Sequence, residues 1–200
     1  MLKNREIILE GERVILLPAS YEHKEDLFQV SSSQELWKYS PSKINTMEDM
    51  NSTMDSWMKL KQQGLRYPFV IVDKLENEIV GSTSYLDISV QFKKLEIGGT
   101  WLAPKCWRTR INTECKYLLL KYGFEELLLN RIQLKTDLRN ERSNLAIQRI
   151  GARFEGTLRH DMILHNGQLR DTNVYSILNS EWTEVKAKLL GYLIKKSNYM

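Results

Sequence analysis

Three basic residues, Lys105, Arg108 and Arg110, fill a short loop that opens onto a helix. Upstream, Glu96 to Leu102 reads as a strand; downstream, Ile111, Cys115, Leu118, Leu119 and Tyr122 recur at helical spacing, giving one apolar face. Asn112, Thr113 and Glu114 are the short polar and acidic residues that a helix start favours. The first-turn N–H groups of such a helix have no partner within it, and its dipole is positive there. A strand, a basic loop and a helix mouth in that order suit an anion, and a phosphate-bearing ligand is the chemistry they point to. The same residues also fit a buried helix with solvated arginines at its mouth. The two cysteines, Cys106 and Cys115, have neither metal-ligand spacing nor a neighbouring histidine. They read as reduced thiols, and no metal site is expected.

The remaining elements must position this stretch. Arg13 to Leu17 alternates as a first strand and stops at Pro18, and Tyr21 to Val30 suits a short helix. Thr46 to Gln62 is a stronger helix ended by Gly64; its stripe of Met47, Met50, Met54, Trp57 and Met58 suits a core, or an adaptable groove. Pro68 to Val72 and Ile79 to Leu86 read as a hairpin, with Glu96 to Leu102 beside them. Arg131 to Asp137 alternates cleanly, and Asn140, Glu141 and Gly151 punctuate a short helix. Phe154 to Leu164 and Arg170 to Leu178 flank Asn166-Gly167, the strongest hairpin signal in the chain, and Glu181 to Ile194 is a last helix. A single domain of the α+β class is expected: a mixed, mostly antiparallel sheet with helices on both faces. Hydrophobic residues at 42% and charged residues at 27% are ordinary for a globular protein, and a net charge of +4 falls short of a dedicated nucleic-acid binder. The N-terminus is too charged for a signal peptide and no apolar run reaches membrane-spanning length, so a cytoplasmic location away from membranes is expected.

From Arg13 onward the chain resembles the GCN5-related N-acetyltransferases, in the branch of the ribosomal-protein N-terminal acetyltransferases. The resemblance is carried by Gly11-Glu12-Arg13-Val14, Glu96-Ile97-Gly98, Asn112-Thr113-Glu114, Asn140-x-x-Ser143, Ile150-Gly151-Ala152, Glu155-Gly156-x-x-Arg159, Asn166-Gly167 and Asp171-x-x-x-Tyr175-Ser176-Ile177-Leu178. It implies a sheet splayed at its centre, with acetyl-coenzyme A in the gap. Backbone near Thr100, Trp101 and Leu102 would hold the pantetheine arm. The loop Lys105 to Asn112, with Thr109, Ile111 and Thr113, would hold the pyrophosphate, and Asn140 and Ser143 would lie beside the pantetheine. The family loop carries glycines where this chain has Arg108 and Arg110. Arginine there gives up glycine's open dihedrals and close backbone approach, and offers a charged fork instead.

The reaction the resemblance implies is direct acetyl transfer to a primary amine, either a protein N-terminus or a small molecule. An α-amino group has a pKa near 8, so a modest base suffices. Glu96 is the first candidate, followed by Asp161, His160 and Asp171 on the terminal hairpin. The family's thiolate-protonating tyrosine is replaced by Ile147, leaving Ser143 as a substitute acid; Tyr175 reads as a packed strand residue. Neither cysteine has the histidine that a covalent acetyl-enzyme route needs. Two other readings remain open from the sequence: a non-catalytic fold that binds coenzyme A or a nucleotide, and a ribosome- or RNA-associated protein. The oligomeric state is open, with a homodimer through the terminal strands as one arrangement.

Overall fold

In the computed structural model, which describes Leu2 and residues 4–197, the alternating runs assemble one eight-stranded sheet. The chain runs through β1 (Leu9–Glu10), β2 (Val14–Pro18), α1 (Lys24–Val30), α2 (Met47–Gln63), β3 (Arg66–Asp73), β4 (Glu78–Ser89), β5 (Lys94–Leu102), α3 (Ile111–Lys121), β6 (Arg131–Asp137), α4 (Glu141–Arg149), β7 (Arg153–Ile163), β8 (Leu169–Leu178) and α5 (Trp182–Ser197). The spatial order is β1-β2-β3-β4-β5-β6-β8-β7. Every neighbouring pair is antiparallel except β5–β6, which α3 joins as a parallel crossover. β1 is too short to show alternation, and Pro18 ends β2 from inside it, opposite Phe69.

The helices follow their local punctuation. Thr46 Oγ1 accepts from Asp49 N at 3.1 Å while the Asp49 carboxylate accepts from Thr46 N at 2.9 Å, and α2 stops at Gly64 with φ 76°. Met50, Met54 and Trp57 are buried with Val70 in a core between α1, α2 and one sheet face, so the methionine stripe is packing. On the opposite face Tyr67, Phe69 and Ile71 pack with apolar residues of α3, α4 and α5. In the terminal hairpin Gly167 takes φ 82° and its N–H donates to Leu164 O at 2.9 Å. Among the described residues no helix is long and apolar enough to cross a membrane, and no cluster of three or more possible metal ligands occurs.

Two irregularities matter for function. The β5–β6 ladder pairs Lys94 with Arg131, Leu95 with Ile132 and Glu96 with Gln133, then ends. β5 continues to Leu102 and β6 to Asp137, so the sheet parts above Glu96. In the same stretch β5 carries one residue more than β4 between the pairs Ser84–Gly98 and Ser82–Trp101, a bulge whose Gly99 has φ 57°.

Candidate functional site

The mouth of α3 is built differently from the expectation for its arginines. Arg110 does not offer a free fork to a phosphate. It is 5% exposed, and its guanidinium is paired with Glu12 and lies with Nε 3.2 Å from Glu114 Oε2. Glu114 in turn accepts from the N–H groups of Arg13 at 3.0 Å and Val14 at 3.5 Å through Oε1. The Gly11-Glu12-Arg13-Val14 and Asn112-Thr113-Glu114 segments are therefore two halves of one buried joint between β2 and α3. Arg108 also departs from the expectation: although not glycine, it holds φ 62°, the left-handed backbone that a glycine at that position would favour.

The other loop residues divide by role. Thr109 Oγ1 donates to Cys106 O at 2.7 Å and accepts from Ile111 N at 3.3 Å, so it caps the helix, while the Ile111 side chain is fully in the core and lines no groove. Lys105 is paired with Glu78 at the surface. Asn112 places a buried Oδ1 without a partner at the helix start. Thr113 Oγ1 accepts from Arg149 of α4. Arg142, in the first turn of α4, lies with its guanidinium carbon 3.5 Å from the centre of the Trp107 ring. Arg142 and Arg149 thus tie α4 to the loop and to α3 across the parting of the sheet. Sequence reading passed over both, because their partners lie more than thirty residues away.

Beneath the bulge, Thr100 Oγ1 is 2.8 Å from Thr83 Oγ1 and accepts from Lys116 Nζ at 2.7 Å. Trp101 turns its ring to Trp37 in the α1–α2 core, with centroids 5.7 Å apart, and Leu102 O accepts from Trp107 Nε1 at 2.8 Å. Lys116 is buried without a carboxylate among its described contacts, and burial pulls its pKa down to about 8. The unfolded chain holds that proton up to about 10.5, so at neutral pH the folded state bears a charge cost of about 3 kcal/mol. Net of a lost hydrogen bond, Lys116→Met should stabilise the protein by about 2 kcal/mol at pH 7. Wild-type stability should then gain on the variant as pH rises from about 8 towards 10, because the unfolded chain binds the extra proton in that window. Cys115, raised to about 12 by burial, acts with the opposite sign but in both proteins. Urea unfolding of the pair at pH 7, 8.5 and 9.5 reads the gap, and a gap independent of pH would overturn this account.

Across the parting, Asn140 caps α4, its Oδ1 accepting from Ser143 N at 3.1 Å, and Ser143 is half-buried beside it. Asn144, which sequence reading passed over, is buried and joins β6, α4 and β8 through both ends of its amide. Tyr175 is 1% exposed and donates to Asn144 Oδ1 at 2.7 Å, a packed strand residue as expected; Ile147 is buried in the same core. Glu96 stands at the root of the parting, 7% exposed, with Oε2 3.1 Å from Lys135 Nζ of β6. Burial lowers the Lys135 pKa, and Glu96, with Asp87 and Asp161, more than restores it. Asp161 on β7 acts electrostatically on Lys135 and on the buried Arg170 of β8, whose Nε has no hydrogen-bond partner. His160 adopts φ 50° and its N–H donates to Asp171 at 2.7 Å. Glu96, Lys135, Asp161 and Arg170 therefore share one charged neighbourhood, whereas Ser143 stands on α4.

Comparison with known proteins agrees with this architecture. Residues 13–153 match the family model described as an acetyltransferase (GNAT) domain. A Bacillus subtilis protein provisionally named ribosomal N-acetyltransferase YdaF is 35% identical over 107 residues, 54% of this chain and 57% of its own. The crystal structure of a GCN5-related N-acetyltransferase from Brucella melitensis superposes with a TM-score of 0.88 at 28% identity, covering 96% of this chain and 87% of that one. The microcin C7 self-immunity acetyltransferase MccE, solved with acetyl-CoA and AMP, gives 0.75 at 25% identity, over 84% and 93% of the two chains. With the family model spanning most of the chain and the parted sheet found in place, the protein belongs to the GCN5-related N-acetyltransferases.

Proposed function

We propose that this chain, acting as a single domain, transfers the acetyl group of acetyl-coenzyme A directly to a primary amine. The observation that carries the reading is the parting of β5 and β6 above Glu96. Where the ladder ends, the facing strand edges retain backbone N–H and C=O groups that an extended polyamide arm can satisfy. The bulge at Gly99 and Thr100 opens that edge, and the α3 mouth offers first-turn N–H groups and the glycine-like backbone of Arg108 to phosphate oxygens. Arg142 and Lys105 supply charge at the rim. MccE, which shares the fold, was solved with acetyl-CoA, and this supports the same ligand here.

When bound, acetyl-coenzyme A supplies an activated thioester carbonyl. The chain's own residues have the remaining work. Glu96, paired with Lys135, receives the proton of the acceptor ammonium, directly or through water. In this reading Ser143, in the first turn of α4, donates to the departing thiolate, and Asp161 serves the acceptor side. The kinship with a protein named as a ribosomal N-acetyltransferase favours a protein N-terminus as one acceptor class.

Calorimetric titration with acetyl-coenzyme A, with coenzyme A and ATP as controls, tests the reading. A dissociation constant on the order of micromolar for acetyl-coenzyme A, with weak ATP binding, is expected. No binding of acetyl-coenzyme A would remove acetyl transfer as the activity of this chain.

A further inference from the structure

Arg66 opens β3 on the sheet face covered by α2. Its guanidinium carbon lies 4.5 Å from the centre of the Trp57 ring, and Nε donates to Ser84 Oγ at 3.0 Å. A Cβ at Gly99 would stand 3.0 Å from Arg66 Nη2, so the guanidinium reaches the β5 bulge because that residue is glycine. Among the described residues Arg66 makes no ion pair. Glu96, in the same cross-strand row (Arg66, Leu86, Glu96), has its Oε2 turned to Lys135. Burial draws the Arg66 pKa down to about 10, and no carboxylate raises it again.

A half-buried cation without a counter-ion is costly to keep. Here the ring of Trp57 fixes its plane and Ser84 fixes its Nε, leaving the outer edge of two parallel N–H groups held in position. That edge fits a planar carboxylate bidentately. It also lies against Gly99, at the opening in β5 where the thioester would be attacked. An amine one to three carbons from a carboxylate held there is brought to that opening.

We propose that Arg66 anchors a carboxylate of the acceptor, so that the acetylated amine belongs to an α-amino acid or to a peptide whose first residue has an acidic side chain. This rests on the acetyl-transfer reading above, and it names the acceptor's chemistry. The two sources share the carboxylate and are separated by experiment.

The test is acetyl transfer, followed by thiol release, to paired acceptors: α-amino acids against their carboxamides, and short peptides beginning with Asp or Glu against those beginning with Asn or Gln. Wild type, Arg66→Met and Arg66→Lys are compared, with acetyl-coenzyme A affinity measured separately for each. Wild type should favour the acid of at least one pair by about tenfold or more in kcat/KM. Arg66→Met should lose that preference with its acetyl-coenzyme A affinity unchanged, and Arg66→Lys should keep part of it. Preference among amino acids assigns the free carboxylate; preference among peptides assigns the side chain. Equal rates within every pair, a preference surviving in Arg66→Met, or no turnover of any acid by a protein that binds acetyl-coenzyme A overturns the inference. Failure to bind acetyl-coenzyme A instead sinks the acetyl-transfer reading, and this inference with it.

Discussion

Glu114→Ala is expected to destabilise the protein by about 4 kcal/mol, enough to lower its melting temperature by roughly 10 °C. The carboxylate is 2% exposed and accepts from the backbone of Arg13 and Val14, while standing 3.2 Å from the Arg110 guanidinium. That ion pair is Coulombic more than hydrogen-bonded, since Arg110 Nε and Glu114 Oε2 are not aligned as donor and acceptor. Removing the carboxylate leaves two backbone donors without an acceptor and leaves the buried Arg110 with only Glu12, whose side chain is 65% exposed. Lys105→Ala, which breaks the exposed pair with Glu78, should leave stability nearly unchanged. Arg110→Met combined with Glu114→Met should recover only the part of the loss due to the buried charge, because the N–H groups of Arg13 and Val14 still lack an acceptor. Urea unfolding of the four proteins decides it. A cost below about 1 kcal/mol for Glu114→Ala would mean that β2 and α3 are held by packing alone.

The same joint shows where sequence reading stops. The caps of α2 and α4 and the alternation of β6 were legible because donor, acceptor and periodicity lie within a few residues of each other. Arg110 was read as a phosphate ligand because it follows a strand and precedes a helix. Its actual partner, Glu12, is 98 positions away and invisible to local spacing. Nothing in the local sequence marks Lys116 for burial, and the bulge that brings Thr100 over it gives its ammonium a partner. Arg108 illustrates a converse lesson. Substitution of a loop glycine suggested a changed backbone, yet the φ of 62° is kept, at an expected cost of about 1 kcal/mol. The parting of the sheet followed from resemblance rather than from any pattern in the sequence, since β6 alternates cleanly past the point where its pairing with β5 ends. Arg66, Arg142, Asn144 and Lys135 escaped because each has an unremarkable sequence setting and a partner on another element.

Asn144→Leu should cost about 3–4 kcal/mol despite matching the volume of the side chain it replaces. The Asn144 side chain makes five hydrogen bonds: Nδ2 donates to the carbonyls of Asp137, Leu138 and Asn140, and Oδ1 accepts from Asn173 Nδ2 at 2.9 Å and Tyr175 OH at 2.7 Å. Two of the carbonyls keep a second donor, Asp137 O from Asn140 N and Asn140 O from Asn144 N, so they are not left bare. The cost falls mainly on the two buried donors of β8, at about 1–3 kcal/mol each. Adding Tyr175→Phe to Asn144→Leu should therefore restore about 1 kcal/mol or more, whereas Tyr175→Phe alone should destabilise. The joint also fixes the far wall of the parting, since it ties the end of β6 that β5 no longer pairs to α4, which carries Asn140 and Ser143. Loosening it should weaken acetyl-coenzyme A binding even where the protein remains folded. Thermal melts of the single and double variants, each followed by calorimetry below the transition, separate the two effects. Additive losses with no recovery in the double variant would show that the hydroxyl and the amide are not coupled through Asn144. Unchanged affinity in a folded Asn144→Leu protein would show that this wall plays no part in holding the ligand.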